Sequence, residues 1–166
     1  TVYGISKLCG EQLLAHATAG QAMRGDSLRF FFVYGPRQFS GTGYPSVIVK
    51  NFERIRAGQP PVIFGDGSQR LDYVYVDDVV EALLRCMESP SSGRVFNVGS
   101  GIGTSIEALT ATMLRVAGAS LQALHGPPDW TAGSSRVASI DAIRAALGWQ
   151  PRVTLEQGLR ETWHAL

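Results

Sequence analysis

Tyr3 and Lys7 stand four residues apart in Thr1-Val2-Tyr3-Gly4-Ile5-Ser6-Lys7, at the head of a helical pattern. Residues i and i+4 share one face of a helix, so the phenol and the ammonium lie side by side. A free phenol has a pKa of about 10, too high for a base at neutral pH. A neighbouring ammonium favours the phenolate. Lowering the pKa by about three units takes about 4 kcal/mol of differential interaction, within reach of close positive charges in a partly dry cleft. The two residues therefore have the chemistry of a proton-transfer pair. A chain that opens on such a pair, with Thr1 in place of Met, reads as starting inside an active site. It is expected to be a fragment of a larger enzyme.

The elements that must position this pair alternate between helix and strand. Leu8, Leu13, Leu14 and Ala17 continue an apolar face on the opening helix, which is expected to end between Gly20 and Gly25. Residues 28–34 are almost wholly apolar, the pattern of a buried strand in a parallel sheet, and Gly35-Pro36 stops them. A loop rich in Gly, Ser and Thr runs to Tyr44-Pro45, followed by a helix over about 46–57. Val62-Ile63-Phe64 predicts a short strand closed by Gly65-Asp66-Gly67, and residues 72–76 a second one. Asp77-Asp78 reads as the N-cap region of a helix through Met87 rather than as a catalytic pair. A strand over 95–98 and a helix capped by Thr104 or Ser105 follow. Two short helices, near 140–147 and 155–166, then flank Gly148-Trp149-Gln150-Pro151. This alternation predicts an α/β fold.

Composition narrows the function classes. With 45% hydrophobic and 17% charged residues, the 166-residue chain can build a core and is not a disordered sequence. A formal net charge of +1 gives no electrostatic reason to expect nucleic acid or a membrane surface as partner. No apolar run approaches membrane-spanning length. Cys9 and Cys86 fall in apolar helical patterns and are expected to be buried, reduced thiols of a cytoplasmic protein. His16, His125 and His164 lack ligand spacing, so no metal is expected.

The blocks after the Tyr3/Lys7 pair carry a joint signal. They are Leu28-Arg29-Phe30-Phe31-Phe32-Val33-Tyr34-Gly35-Pro36-Arg37-Gln38, Gly65-Asp66-Gly67-Ser68-Gln69 and Asp72-Tyr73-Val74-Tyr75-Val76-Asp77-Asp78, then Phe96-Asn97-Val98-Gly99-Ser100-Gly101 and Leu147-Gly148-Trp149-Gln150-Pro151. In this order they resemble the C-terminal half of the extended short-chain dehydrogenase/reductases, most closely the NAD-dependent nucleoside-diphosphate-sugar epimerases and dehydratases of the UDP-glucose 4-epimerase type. The resemblance implies the end of a Rossmann-type parallel sheet plus a small mixed α/β substrate domain. Residues 1–40 would close the NAD-binding domain with the Tyr/Lys helix. Residues 41–166 would be mainly the substrate domain, with about 72–98 returning to the sheet. NAD is the implied cofactor and a nucleoside-diphosphate sugar the implied substrate. A homodimer would form through a helix bundle that includes residues 3–19.

The resemblance also implies roles. Tyr3 is the base for a sugar hydroxyl, and Lys7 lowers its pKa while bonding the nicotinamide ribose. Phe30 packs near the nicotinamide, and Val33 and Tyr34 line the cofactor edge, with strand core the simpler reading for Val33. Ser46, Val47, Val62 and Phe64 match positions that cradle the nucleotide; Phe64 reads equally well as a core aromatic. Epimerisation through a 4-keto intermediate is the expected reaction, with a 4,6-dehydratase as the nearest alternative.

Three positions depart from the family pattern within the substrate site. Phe32 replaces an Asn that helps hold the substrate. Leu71 replaces an Arg that binds the diphosphate, with Arg70 one residue earlier. Near the place of a second such Arg stands Asp129, with Arg136 further on. Either Arg70 and Arg136 act from new positions, or the substrate differs, because losing bidentate Arg contacts to a diphosphate is not neutral. Trp130 beside them suits stacking on a base or sugar, and equally a loop anchor. A non-catalytic binding protein on the same scaffold is the competing class. Half a parallel sheet exposes an apolar edge, so the 166-residue chain alone is expected to be inactive and to self-associate or precipitate. Sedimentation velocity checks this: a monodisperse monomer contradicts the fragment reading.

Overall fold

The computed structural model describes residues 1–20, 23–38, 46–90 and 92–166; the loop expected over 39–45 lies outside them. Helix α1 (Val2–Ala19) is capped by Thr1, whose Oγ1 accepts from the Gly4 N–H at 3.1 Å. The apolar run expected as one strand is two: β1 (Ser27–Phe30) and β2 (Phe32–Tyr34). β1 pairs in parallel with β5 (Val95–Val98), whereas β2 pairs in parallel with β4 (Arg70–Tyr75). Phe31 makes the crossing, its N–H donating to the Val98 carbonyl at 3.0 Å. An apolar run suits both stretches equally, so hydrophobicity alone does not reveal the change of partner.

Ser46 caps α2 (Val47–Arg56), which buries Ile48, Val49, Phe52 and Ile55. β3 (Val62–Phe64) pairs in parallel with β7 (Leu124–Gly126). α3 (Val76–Glu88) follows β4 directly. β6 (Gly103–Ser105) runs antiparallel to the first half of β4 and leads into α4 (Ile106–Ala117), capped by Ser105. β8 (Ser135–Arg136) lies parallel along the other edge of the same half. α5 (Asp141–Leu147) and α6 (Leu155–Ala165) close the chain, the latter with a capping box from Thr154 and Gln157. These elements form the α/β fold with parallel pairing that the sequence predicts.

β4 divides two cores, because successive side chains of a strand face opposite ways. Leu71, Tyr73 and Tyr75 join Tyr34, Phe52, Leu109, Met113 and Leu159 in one core. Val74 joins Val79, Phe96, Val98, Ile143 and Trp149 in the other. Gly158 of α6 seats against the first core so closely that a Cβ there would collide with the Tyr34 hydroxyl and the Tyr75 ring.

Two buried carboxylates tie these layers together. Asp72 is fully buried and accepts from Ser100 N–H (2.6 Å), Ser100 Oγ (2.5 Å), Gly101 N–H (2.9 Å) and Ala138 N–H (3.0 Å). Asp78 accepts from the N–H groups of Arg152 (3.0 Å) and Val153 (3.1 Å), and its carbonyl accepts from Trp149 Nε1 at 2.9 Å. This corrects the capping role expected of Asp77 and Asp78: the cap position is Tyr75, with no side-chain cap bond, and Asp78 turns inward from the first turn. Cys9 also departs from expectation. It is exposed, because Thr18 is the only residue of α1 that is buried; Cys86 is partly enclosed, and both are free thiols. Among the described residues no helix is long and apolar enough to cross a membrane.

Hydrogen bonds to a buried charge contribute about 1.5–3 kcal/mol each, and an amide cannot accept from all four donors. Asp72→Asn is therefore expected to lower stability by about 3 kcal/mol. Urea denaturation measures it, and a loss below about 0.5 kcal/mol, the level of an ordinary surface substitution, would contradict the role given to this carboxylate.

Candidate active site

On α1, Tyr3 and Lys7 are both exposed, and Lys7 Nζ lies 5.3 Å from the centre of the Tyr3 ring. The ammonium thus sits over the phenol ring, a cation–π contact that holds the two groups within one helical turn. Lys7 has no acidic partner among the described residues, which leaves its charge available to a ligand. Glu11 continues the stripe of Tyr3 and Lys7 by one more turn and binds Arg29 of β1 in a two-pronged pair, 2.7 and 2.6 Å. The stripe is thereby fastened to the strand that ends in Phe30, which is 47% exposed and offers a ring face at the strand terminus.

The buried phenols Tyr34 and Tyr73 are unsuited to act as bases. Burial pushes Tyr34 and Tyr73 above the ordinary phenol range, with neighbouring Tyr75 and Asp78 adding to the shift at Tyr34 and Asp129 at Tyr73. Both stay protonated at neutral pH. Tyr34, expected along a cofactor edge, lies inside the first core and donates its hydroxyl to the Leu155 carbonyl at 3.3 Å. Val33 is half-buried against the second core.

The residues expected at the substrate form a second group. Phe32 stacks at a tilt on Tyr73, ring centres 5.8 Å apart, across the β2–β4 pair. Ser46 Oγ accepts from the Ile48 N–H at 3.2 Å, and Val47 packs on the first core. The N–H and carbonyl of Val62 are both held by the Asn51 side chain, at 2.9 and 3.0 Å. Phe64 is 39% exposed, and its carbonyl accepts from Gln69 Nε2 at 2.9 Å. Gln69 Nε2 also reaches Thr131 Oγ1 at 3.5 Å, and Thr131 donates its N–H and hydroxyl to Asp129 Oδ1 at 2.8 and 2.6 Å. Phe64, Gln69, Thr131 and Asp129 are therefore one connected cluster. Gln69 belongs to the Gly65–Gln69 block, whereas Thr131 carries no signal in the sequence beyond its polar type; only the fold joins them. Arg70 and Arg136 separate: Arg70 Nη2 donates to the Gly103 carbonyl at 2.5 Å, while the Arg136 guanidinium stacks 4.6 Å from the Trp130 ring.

The site is thus an exposed Tyr and Lys one turn apart on a helix adjoining the parallel strands of an α/β fold. The family model described as NAD dependent epimerase/dehydratase matches residues 1–99, and the chain belongs to that family. It is 41% identical over 132 residues to the UDP-glucose 4-epimerase of Mycolicibacterium smegmatis, covering 78% of this chain and 41% of that protein. The UDP-glucose 4-epimerase of Thermotoga maritima, solved with UDP-glucose, superposes with a TM-score of 0.91 at 36% identity, over 98% of this chain and 52% of that one. That of Thermus thermophilus, solved with NAD, gives 0.85 at 30% identity, over 98% and 53%. The chain thus spans about half the length of the proteins it matches. The family's cofactor is NAD.

Glu11 is held below the ordinary carboxylate range, chiefly by its hydrogen bonds from Arg29. A lowered folded-state pKa means that the pair contributes above the unfolded pKa and is lost as pH falls through the folded one. Amide protection factors in α1 are therefore expected to fall as acid protonates Glu11, and Glu11→Gln to give the same loss of protection at neutral pH. Exchange in α1 that Glu11→Gln leaves unchanged would contradict this anchoring.

Proposed function

We propose that the full-length protein is an NAD-dependent nucleoside-diphosphate-sugar 4-epimerase of the UDP-glucose 4-epimerase type. In this reading residues 1–40 complete its NAD-binding domain. Residues 41–166 form mainly its substrate domain, with about 72–98 returning to the sheet. The observation that carries the proposal is the exposed Tyr3–Lys7 pair, 5.3 Å from ammonium to ring, in a chain of this family.

The residues at hand fit the nicotinamide end of the cofactor. Lys7 offers three N–H donors with no acidic partner among the described residues, suited to ribose hydroxyls, and Phe30 offers an exposed ring face. NAD, when bound, supplies the acceptor and donor of a hydride. Tyr3 takes the proton of the sugar 4-hydroxyl as its C4–H bond breaks and returns it when the opposite face of the 4-keto sugar is reduced. Redox is balanced over the cycle, so no external oxidant is consumed. Lys7 favours the phenolate through its charge. Ser46, Val47, Val62 and Phe64 lie around the proposed nucleotide pocket, with Phe32 near the sugar. The uncovered Val2, Ile5, Leu8 and Leu13 of α1 support a homodimer through that helix, and the two free thiols support a cytoplasmic location.

Tyr3→Phe in the full-length protein is expected to slow interconversion of UDP-glucose and UDP-galactose by about 10²–10⁴-fold, the usual worth of a positioned proton-transfer group. Unchanged turnover would contradict the role of Tyr3. The apolar residues Phe32 and Leu71 favour one second reading, a non-catalytic scaffold; a wild type that binds NAD yet turns over no nucleotide sugar selects it. A 4-keto-6-deoxy product in the same assay selects a dehydratase.

A further inference from the structure

β4 and β8 place one cation where the substrate-site pattern has lost another. The parallel register pairs Leu71 with Arg136 and Arg70 with Ser135. Side chains paired in this way share a face, and adjacent residues alternate, so Arg136 stands beside Leu71 while Arg70 points to the opposite face. The surroundings agree. A Cβ at Gly103 would meet both Arg70 Nε and Val137, which places Arg70 with the residue after Arg136 rather than with Arg136 itself. Arg70 is also partly committed, to the Gly103 carbonyl.

The Arg136 side chain, in contrast, is exposed and makes no hydrogen bond or ion pair among the described residues. Its guanidinium rests on the Trp130 ring, which is 59% exposed. Stacking fixes the plane of the guanidinium and leaves its edge N–H groups outward, an arrangement suited to a two-pronged anion contact. A second observation points to a ligand on this face. Tyr73 and Gln69, which follow the same alternation as Leu71, each carry a buried polar atom with no partner, the Tyr73 hydroxyl and Gln69 Oε1. Burying such atoms unpaired is costly, and a polar ligand reaching them would relieve it. Asp129, next to Trp130 in the chain, already accepts two hydrogen bonds from Thr131.

We propose that Arg136, braced on Trp130, is the diphosphate-binding cation of this protein, acting from β8 in place of the arginine that Leu71 has displaced on β4. This rests on the nucleotide-sugar reading for the identity of the ligand, but its anion chemistry can be tested apart from that reading.

Calorimetric titration of the full-length protein with UDP and, separately, with inorganic pyrophosphate makes the test. Arg136→Ala is expected to weaken both by about 10- to 100-fold, the worth of a lost charge-assisted contact. Arg136→Lys should recover part of the loss, Trp130→Ala should weaken both less, and Arg70→Ala should change neither by more than about twofold. All three sites are on the surface, so melting curves confirm that each of the four variants is folded. Pyrophosphate binding that depends on Arg136 while UDP does not bind upholds the anion site and sinks the nucleotide-sugar reading. UDP binding insensitive to Arg136→Ala, a larger loss in Arg70→Ala, or no binding of either probe by the wild type overturns the inference.

Discussion

The architecture around β4 depends on one buried carboxylate. Asp72 brings together β4, the turn at 100–101 that follows β5, and residue 138, which follows β8. Removing a carboxylate from water is expensive, and only several well-placed donors offset it. Its four donors come from segments that local propensity alone would leave as loops. Gly99 belongs to the same device, since a Cβ there would press on both Asp72 and Ala138. With the strand held on this side, β6 and β8 lie along its two edges, and the register that seats Arg136 beside Leu71 follows.

Helix α1 is held by different means. α1 buries almost nothing among the described residues and is fastened by the Glu11–Arg29 pair, by Leu14 against Gly25, and by Thr18 near Gly93. Surface ion pairs stabilise little, so the helix depends for firm placement on whatever covers its apolar residues. A proton-transfer pair must be held to within fractions of an ångström, which such contacts do not provide unaided. The two regions thus differ: buried hydrogen bonds fix β4, whereas a few surface contacts hold α1.

Much of this was legible in the sequence. The apolar periodicities of α2 and α4, the compact apolar runs of β3 and β5 and the glycine stops were visible because they are local. Tyr3 and Lys7 were legible because helical spacing alone makes them neighbours. The short strands β6, β7 and β8 were not, since two or three residues leave no period to detect, and each exists through its partner strand. The split of residues 28–34 was hidden because an apolar run does not encode its pairing. Asp78 was read as a cap because only the folded chain brings residues 152 and 153 to its carboxylate. Which arginine shares a face with Leu71 was equally beyond reach, because it depends on register, and a one-residue shift reverses the answer.

The central claim is that hydride leaves and returns to the same sugar carbon while Tyr3 handles the proton. Full-length protein incubated with NAD and UDP-glucose deuterated at C4 tests this most directly. The account predicts UDP-galactose that keeps its deuterium at C4, with none lost to solvent water. Product carrying solvent hydrogen at C4 would contradict it, since deprotonation at carbon, not hydride transfer, would then invert the centre.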